Sequence, residues 1–182
     1  QTKKTQKAII KTTITCDHCK ECETCGQLFN QNSLATELGV DNKTISAWLS
    51  VLETSFVAYR LPPYFENFNK RLVKTPKVYF YDTGLAAYLL GIRSKEELDI
   101  HFAKGALFEN LLITDLIKKS LNRGKRPDFY FWRDASQHEV DLLMQQGTAL
   151  IAVEIKSGKT IQLDYFKGLK YLQNINPAIQ SW

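Results

Sequence analysis

The chain has 182 residues, 44% of them hydrophobic and 24% charged. That composition suits one fair-sized globular domain or two small ones and excludes a fibrous or disordered chain. No apolar run approaches the ~20 residues that span a bilayer, and Gln1 to Thr5 lead into no signal-peptide core, so a cytoplasmic protein without membrane association is expected. The net charge of +5 permits nucleic-acid binding without demanding it.

The chain starts without an initiator Met and stops on Trp182, shortly after Pro177, so that a further strand after Asn176 is expected to be missing. It reads as a piece of a longer protein. Residues 1–25 show no clear apolar period and read as a tail or the end of an upstream element. All four cysteines lie there, Cys16, Cys19, Cys22 and Cys25, with His18 among them. Without a secretory signal a disulfide framework is not expected. The spacing resembles part of a metal or iron–sulfur pattern, but zinc sites usually join two separated pairs. Reduced thiols are therefore preferred over zinc or an iron–sulfur cluster.

Organisation begins at Leu28. Leu34, Ala35 and Leu38 share one helical face, which Gly39 ends, and Asp41 is placed to cap the next helix. Ile45, Trp48, Leu49 and Leu52 then recur at the helical spacing of a core stripe. Two short helices around a Gly turn predict a helix-turn-helix. Asn42, Lys43, Thr44, Ser46 and Ser50 lie on the opposite face, small polar groups suited to a major groove and its phosphates. Protein docking is the equal alternative.

Next come the strand-like Phe56–Leu61 and Lys77–Tyr81. Between Arg60 and Lys77 the residues Arg60, Lys70, Arg71, Lys74 and Lys77 face the single acid Glu66. Two strands around a basic loop, directly after a helix-turn-helix, read as a wing. Lys70, Arg71 and Lys74 would grip phosphate.

Asp82-Thr83-Gly84 precedes a short apolar helix, Leu85 to Leu90, and a longer helix is predicted after Gly105. Glu109, Leu112, Ile113 and Leu116 form a stripe on it. A carboxylate opening an apolar stripe needs a partner, a metal or a basic side chain. Three strands follow, Phe129–Trp132, His138–Leu143 and Leu150–Lys156. With Gly147 and Thr148 as the centre of a two-residue type II′ turn, Asp141 stands across from Glu154, and strand alternation puts Glu154 and Lys156 on the same face. Such a set is costly unless something binds it. Metal-assisted phosphodiester hydrolysis uses it: carboxylates hold Mg²⁺ or Mn²⁺, and a lysine orients water and neutralises phosphate. Glu109, Asp141 and Glu154 are the candidate metal ligands, with Lys156 completing the catalytic set. Ser157 and Lys159 are possible phosphate contacts. His18, His101 and His138 are weak catalytic candidates, Asp134 and Glu139 are expected to be solvated, and Trp48, Trp132 and Tyr79 to Tyr81 are expected in the core.

Glu109, Asp141 and Glu154-Ile155-Lys156 resemble the PD-(D/E)XK nuclease signature, with Val140 where Pro is usual. More widely, Gly26-Gln-Leu-Phe-Asn30, Lys70 to Lys77, Tyr81 to Leu85 and Gly105 to Asn110 resemble the C-terminal region, of unknown function, of bacterial and archaeal AAA-type ATPases. The resemblance covers roughly residues 26 to 176. It implies an α/β chain, α+β overall: a winged helix at 26–92, then a restriction-endonuclease-like mixed sheet flanked by helices at 93–182. It also implies an ATPase domain upstream, where ATP would bind. Gly158-Lys159-Thr160 imitates the end of a P-loop, but Val153 stands where its first Gly is needed. The cysteine run departs from the family. Two functions follow as expectations: a Mg²⁺-dependent DNA endonuclease guided by the winged helix, or an inactive nuclease-fold module binding DNA or protein for the ATPase.

Overall fold

The computed structural model describes residues 26–65, 73–158 and 160–181. The cysteine run, His18, Glu66, Lys70, Arg71 and Lys159 lie outside them. The described chain divides into two compact units. One holds residues 26–60 with Lys77–Leu111, the other the described residues of Leu61–Pro76 and Leu112–Trp182.

In the first unit, α1 (Gln31–Leu38) and α2 (Asn42–Thr54) are joined through Gly39, which takes the left-handed conformation that ends α1. Asn30 caps α1 by accepting the Ser33 N–H, and Asp41 caps α2 by accepting the Thr44 N–H at 2.6 Å. Ile45, Leu49 and Leu52 are buried as the stripe predicts, with Trp48 packed partly buried beside them. β1 (Ala58–Leu61) and β2 (Lys77–Phe80) form a two-stranded sheet. α3 (Thr83–Leu89) is capped by Asp82 and α4 (Lys95–Ile100) by Ser94. The core of the unit collects Phe29, Leu34, Ile45, Val78, Phe80 and Leu107 among others.

Helix α5 (Lys104–Asn122) corrects the predicted stripe. Its buried positions are Leu107, Asn110, Ile113, Thr114 and Ile117, whereas Leu112 is exposed. The reason is that two polar residues replace apolar ones on the inner face. Asn110 Oδ1 accepts the Phe80 N–H at 2.7 Å, while its Nδ2 donates to Phe80 O and Thr83 Oγ1. The amide thus acts as one more strand residue beside β2, and full pairing makes its burial tolerable.

The second unit is a four-stranded mixed sheet in the order β3 (Phe129–Arg133), β4 (Glu139–Gln146), β5 (Ala149–Val153), β6 (Gln180–Ser181). β3–β4–β5 are antiparallel, and β6 runs parallel to β5 after α6 (Lys167–Ile175). The strand expected to be missing after Asn176 is present as the two-residue β6, which corrects that expectation. Gly147 has φ +62° and Thr148 a negative φ, the signature of the type II′ turn. The pairs Leu142–Val153 to Gln146–Ala149 follow the predicted register. Trp132, Val140, Leu143, Ala152, Leu169 and Leu172 build the core of the unit.

The described residues of the β1–β2 connection belong to the second unit. Pro62, Pro63 and Tyr64 leave β1 and bond to Phe131 of β3: Phe131 N–H donates to Pro62 O, and Tyr64 N–H to Phe131 O. Val73 N–H donates to Arg133 O. Both described ends of the β1–β2 connection therefore lie along β3, because the exposed edge of β3 offers the unpaired backbone groups that they take up.

No helix among the described residues is long and apolar enough to cross a membrane.

A carboxylate–lysine site at a strand bulge

Asp141 sits where β4 departs from regular pairing. Tyr130 pairs with Leu143 and Trp132 with Val140, so Phe131 stands opposite two residues, Asp141 and Leu142. This is a β-bulge, a device that re-aims a side chain. The Asp141 side chain is buried, and its Oδ2 accepts the Ile155 N–H at 2.8 Å and Lys156 Nζ at 3.2 Å. Lys156 Nζ also pairs with Glu154 Oε1. The structure thus brings Asp141, Glu154 and Lys156 into one group, around the end of β5.

The electrostatics of the group are lopsided. Burial first, and the Asp141 charge second, push the Glu154 carboxyl up to about 7 against the pull of Lys156. Burial alone would lower Lys156, but the two carboxylates outweigh it and raise its proton affinity. Glu154 Oε2 is buried without a hydrogen-bond partner. On its far side lies Gly168 in the first turn of α6: a Cβ there would stand 3.7 Å from Glu154 Oε2 and would collide with the Glu139 carbonyl oxygen.

These donors fit a hard divalent cation. Both are carboxylates, one keeps an oxygen free of hydrogen bonds, and their crowding raises a proton affinity that a dication would relieve. Asp141 and Glu154 would hold it.

Glu109 lies in the first unit. Its Oε1 accepts Lys77 Nζ at 3.2 Å and Tyr79 OH at 2.5 Å, and a Cβ on Gly26 would stand 3.3 Å from the same oxygen. The partner that Glu109 was expected to need is here a basic side chain. Lys77 is correspondingly buried, and Arg60 makes a two-point contact to Glu53 at 2.8 and 2.6 Å. Lys77 therefore drops out of the solvated basic stretch, while Arg60 stays exposed in its ion pair. Lys74 is exposed.

On α2, Asn42, Lys43 and Ser46 are exposed and Thr44 half-buried. Asn42 Nδ2 donates to Asn32 Oδ1, and Gln31 Nε2 donates to Ser46 Oγ and Asn42 O. The polar face is therefore partly tied to α1.

The sequence reading missed the pair Asp134 and His138. Asp134 is buried, not solvated: it accepts the Ser136 and His138 N–H groups and faces His138 Nδ1 at 3.0 Å. Burial would raise its carboxyl, but the His138 bonds prevail and hold it below the usual range. The His138 ring stacks on Tyr171 of α6 at 3.7 Å. Glu139 is likewise not free, pairing with Arg133 at 3.0 Å. Asp134 opens the tight β3–β4 connection, and an Asp before Ala-Ser-Gln is the turn signal that could have found it. Trp132, Tyr79 and Phe80 are fully buried, as expected of core residues.

Residues 20–96 match the family described as Domain of unknown function (DUF8612), and residues 104–181 match Domain of unknown function (DUF4143). DUF4143 is known from the C-terminal regions of AAA-type ATPases. The chain is similar to uncharacterized protein Rv2008c of Mycobacterium tuberculosis and uncharacterized protein Mb2031c of Mycobacterium bovis, at 33% identity over 135 residues in each case. The match covers 74% of this chain and 30% of each relative, so the chain spans less than a third of those proteins. No solved structure matches it. Asp141, Glu154, Lys156 and Gly168 all fall within the DUF4143 match, as does Glu109.

Proposed function

We propose that the chain is the C-terminal part of an AAA-type ATPase-family protein. In this reading residues 26–92 form a winged-helix module that contacts DNA, and residues 93–182 form a restriction-endonuclease-like domain that cleaves it with Mg²⁺ or Mn²⁺. One observation carries the reading: Asp141, Glu154 and Lys156 converge at a bulged strand with Glu154 Oε2 left unpartnered.

The division of labour follows from the chemistry of the three residues. Asp141, anchored by the Ile155 N–H, and Glu154 offer the oxygen donors. When bound, the cation polarises the phosphate and lowers the pKa of a coordinated water. Lys156 stays cationic at neutral pH because both carboxylates face it, and its side chain is 38% exposed, so it can reach an incoming phosphate oxygen or orient the attacking water. Glu154 must lose its proton to serve, which favours activity above pH 7. Glu109 has Lys77 and Tyr79 as partners, so the proposal rests on the other three. Asn42, Lys43, Thr44, Ser46 and Lys74 are the proposed DNA contacts among the described residues, with Lys70 and Arg71 beyond them.

The test is Mg²⁺- and Mn²⁺-dependent cleavage of plasmid and branched DNA by the wild type, Glu154→Ala and Lys156→Ala. Cutting by the wild type alone is the expected result. A second reading, a nuclease-fold module that binds DNA or protein for the ATPase without cutting, draws on the same geometry. Lys156 bridging two carboxylates is also what a structural ion triad looks like. Salt-sensitive DNA binding without cleavage would favour it.

A further inference from the structure

The segment between β5 and α6 places apolar side chains outside the core. Gly158 and Gly168 bracket it. Tyr165 folds its hydroxyl back against Gly158, 3.0 Å from where a Cβ would lie, and Gly168 approaches Glu154 Oε2 on the other side. Residues Leu163–Phe166 form a single 3-10 turn between them. The loop is therefore pinned at both ends, with its second end against Glu154. Its tip presents apolar side chains to water: Ile161 is 79% exposed and Leu163 80%. Lys167 pairs with Asp164 at 3.0 Å, while Lys170 lies exposed one turn further along α6.

Two branched apolar side chains held in solvent on a segment whose far end abuts Glu154, followed by a helix that carries the exposed Lys170, suit insertion between bases. Apolar wedges inserted between base steps unstack and kink a duplex, while neighbouring cations hold its phosphates. We infer that Ile161 and Leu163 form a wedge that enters the base stack of DNA held at the Asp141–Glu154–Lys156 group, and that the preferred substrate is DNA whose stacking is already weakened, at a nick, a junction or a mismatch. The inference rests on the nuclease reading above. Branched and nicked duplexes lower the unstacking cost that the wedge must meet, so they bind more tightly than an intact duplex of the same sequence.

The experiment uses the whole 182-residue chain, without divalent metal so that no cleavage intervenes. Duplexes carry 2-aminopurine at a central step, either intact or beside a nick, and its fluorescence reports unstacking. Wild type is compared with Leu163→Ser and Ile161→Ser, changes at exposed positions that leave the core untouched. A severalfold fluorescence rise at the nick, reduced at least fivefold in either variant while anisotropy still reports binding, is the expected result. Binding with unchanged fluorescence, or a rise that both variants share, overturns the wedge and leaves the nuclease reading standing. Absence of DNA binding, with no metal-dependent cleavage in the parallel assay, overturns both. Binding of the tip to anionic lipid vesicles instead of DNA, lost in Leu163→Ser, overturns the wedge in favour of a membrane contact.

Discussion

The Ile155 N–H donates to Asp141 Oδ2 at 2.8 Å, and through this bond the last residues of the site are held to the bulge of β4. A backbone donor that would otherwise continue the β4–β5 ladder is satisfied by a side chain, so the ladder ends as the carboxylate group begins. Asp141→Ala leaves that buried N–H without an acceptor and Lys156 without one of its anions. A loss of about 1–3 kcal/mol is expected. Asp141→Asn keeps an acceptor for Ile155 and loses only the charge, so it retains more stability yet fails to hold a cation. Urea unfolding with and without Mg²⁺ or Mn²⁺ separates the two effects. Metal should raise the midpoint of the wild type and of neither variant, and equal stabilisation of all three would remove Asp141 from the metal site.

Gly168 is needed for packing, not for backbone freedom. A methyl group there meets the Glu139 carbonyl oxygen, which belongs to a strand and cannot swing aside. Gly168→Ala must push α6 away from β4, and overpacking of this kind costs about 1–3 kcal/mol. Because α6 carries Leu169 and Leu172 into the core and Tyr171 onto His138, the shift should also disturb those contacts. A lowered urea midpoint, together with a changed His138 ring-proton shift by NMR, is the expected result. A variant as stable as the wild type would show that the close approach is not real.

The end of α2 carries the opposite case, a side chain where glycine is favoured. Phe56 has φ +55°, its N–H donates to Glu53 O, and the Val57 N–H donates to Leu52 O. That pattern is a Schellman motif with Phe56 at the left-handed position. Its ring is 72% exposed and touches Tyr81 at 5.8 Å between centroids. Left-handed backbone costs a non-glycine residue about 1 kcal/mol, and an exposed ring contact offsets only part of this. Phe56→Gly should therefore raise stability by about 0.5–1 kcal/mol, read from the thermal or urea midpoint. A loss instead would mean that the Phe56–Tyr81 contact outweighs the backbone strain.

The helix-turn-helix and the β4–β5 register were legible because local rules decide them. Asp41 caps, Gly39 stops, and Gly147 before Thr148 admits one hairpin register, although the strand expected to run to Lys156 ends at Val153, so that Asp141 meets the Ile155 N–H rather than a paired Glu154. What the sequence hid depends on tertiary choices. The bulge at Asp141 exists because β4 must meet β3 and β5 with different residue counts, and no local signal near Phe131 announces it. Glu109 carried a correct demand for a partner, but Lys77 and Tyr79, 32 and 30 residues away, answer it. Asn110 broke the apolar stripe of α5 for a reason visible only once Phe80 lies beside it. The basic stretch between Arg60 and Lys77 read as one surface, although Arg60 and Lys77 are each committed to a glutamate.

The most direct test of the site is its response to pH. Burial and the Asp141 charge push Glu154 up to about 7 in the folded chain, against an ordinary value of 4.5. Between those two values the folded state holds a proton that the unfolded state has released. The contribution of Glu154 to stability is therefore largest below about 4.5 and declines as pH rises through about 7. Asp134 titrates below 3.8 and Lys156 above 10.5, so neither confuses that window. Glu154→Gln imitates the protonated form and removes the decline: it should match wild type only below about pH 4.5 and exceed it by a margin that grows up to about pH 7 and persists at pH 8. A divalent cation reverses the preference, because it binds the ionised carboxylate. Its affinity should climb with pH up to about 7, by about tenfold per unit for one displaced proton, and be lost in Glu154→Gln. Urea midpoints of both proteins from below about pH 4.5 to pH 8, with and without Mg²⁺, give every term of this comparison. Parallel curves for the two proteins without metal would show that Glu154 is ionised like any surface carboxylate, and the crowded site proposed at the end of β5 would fall with that result.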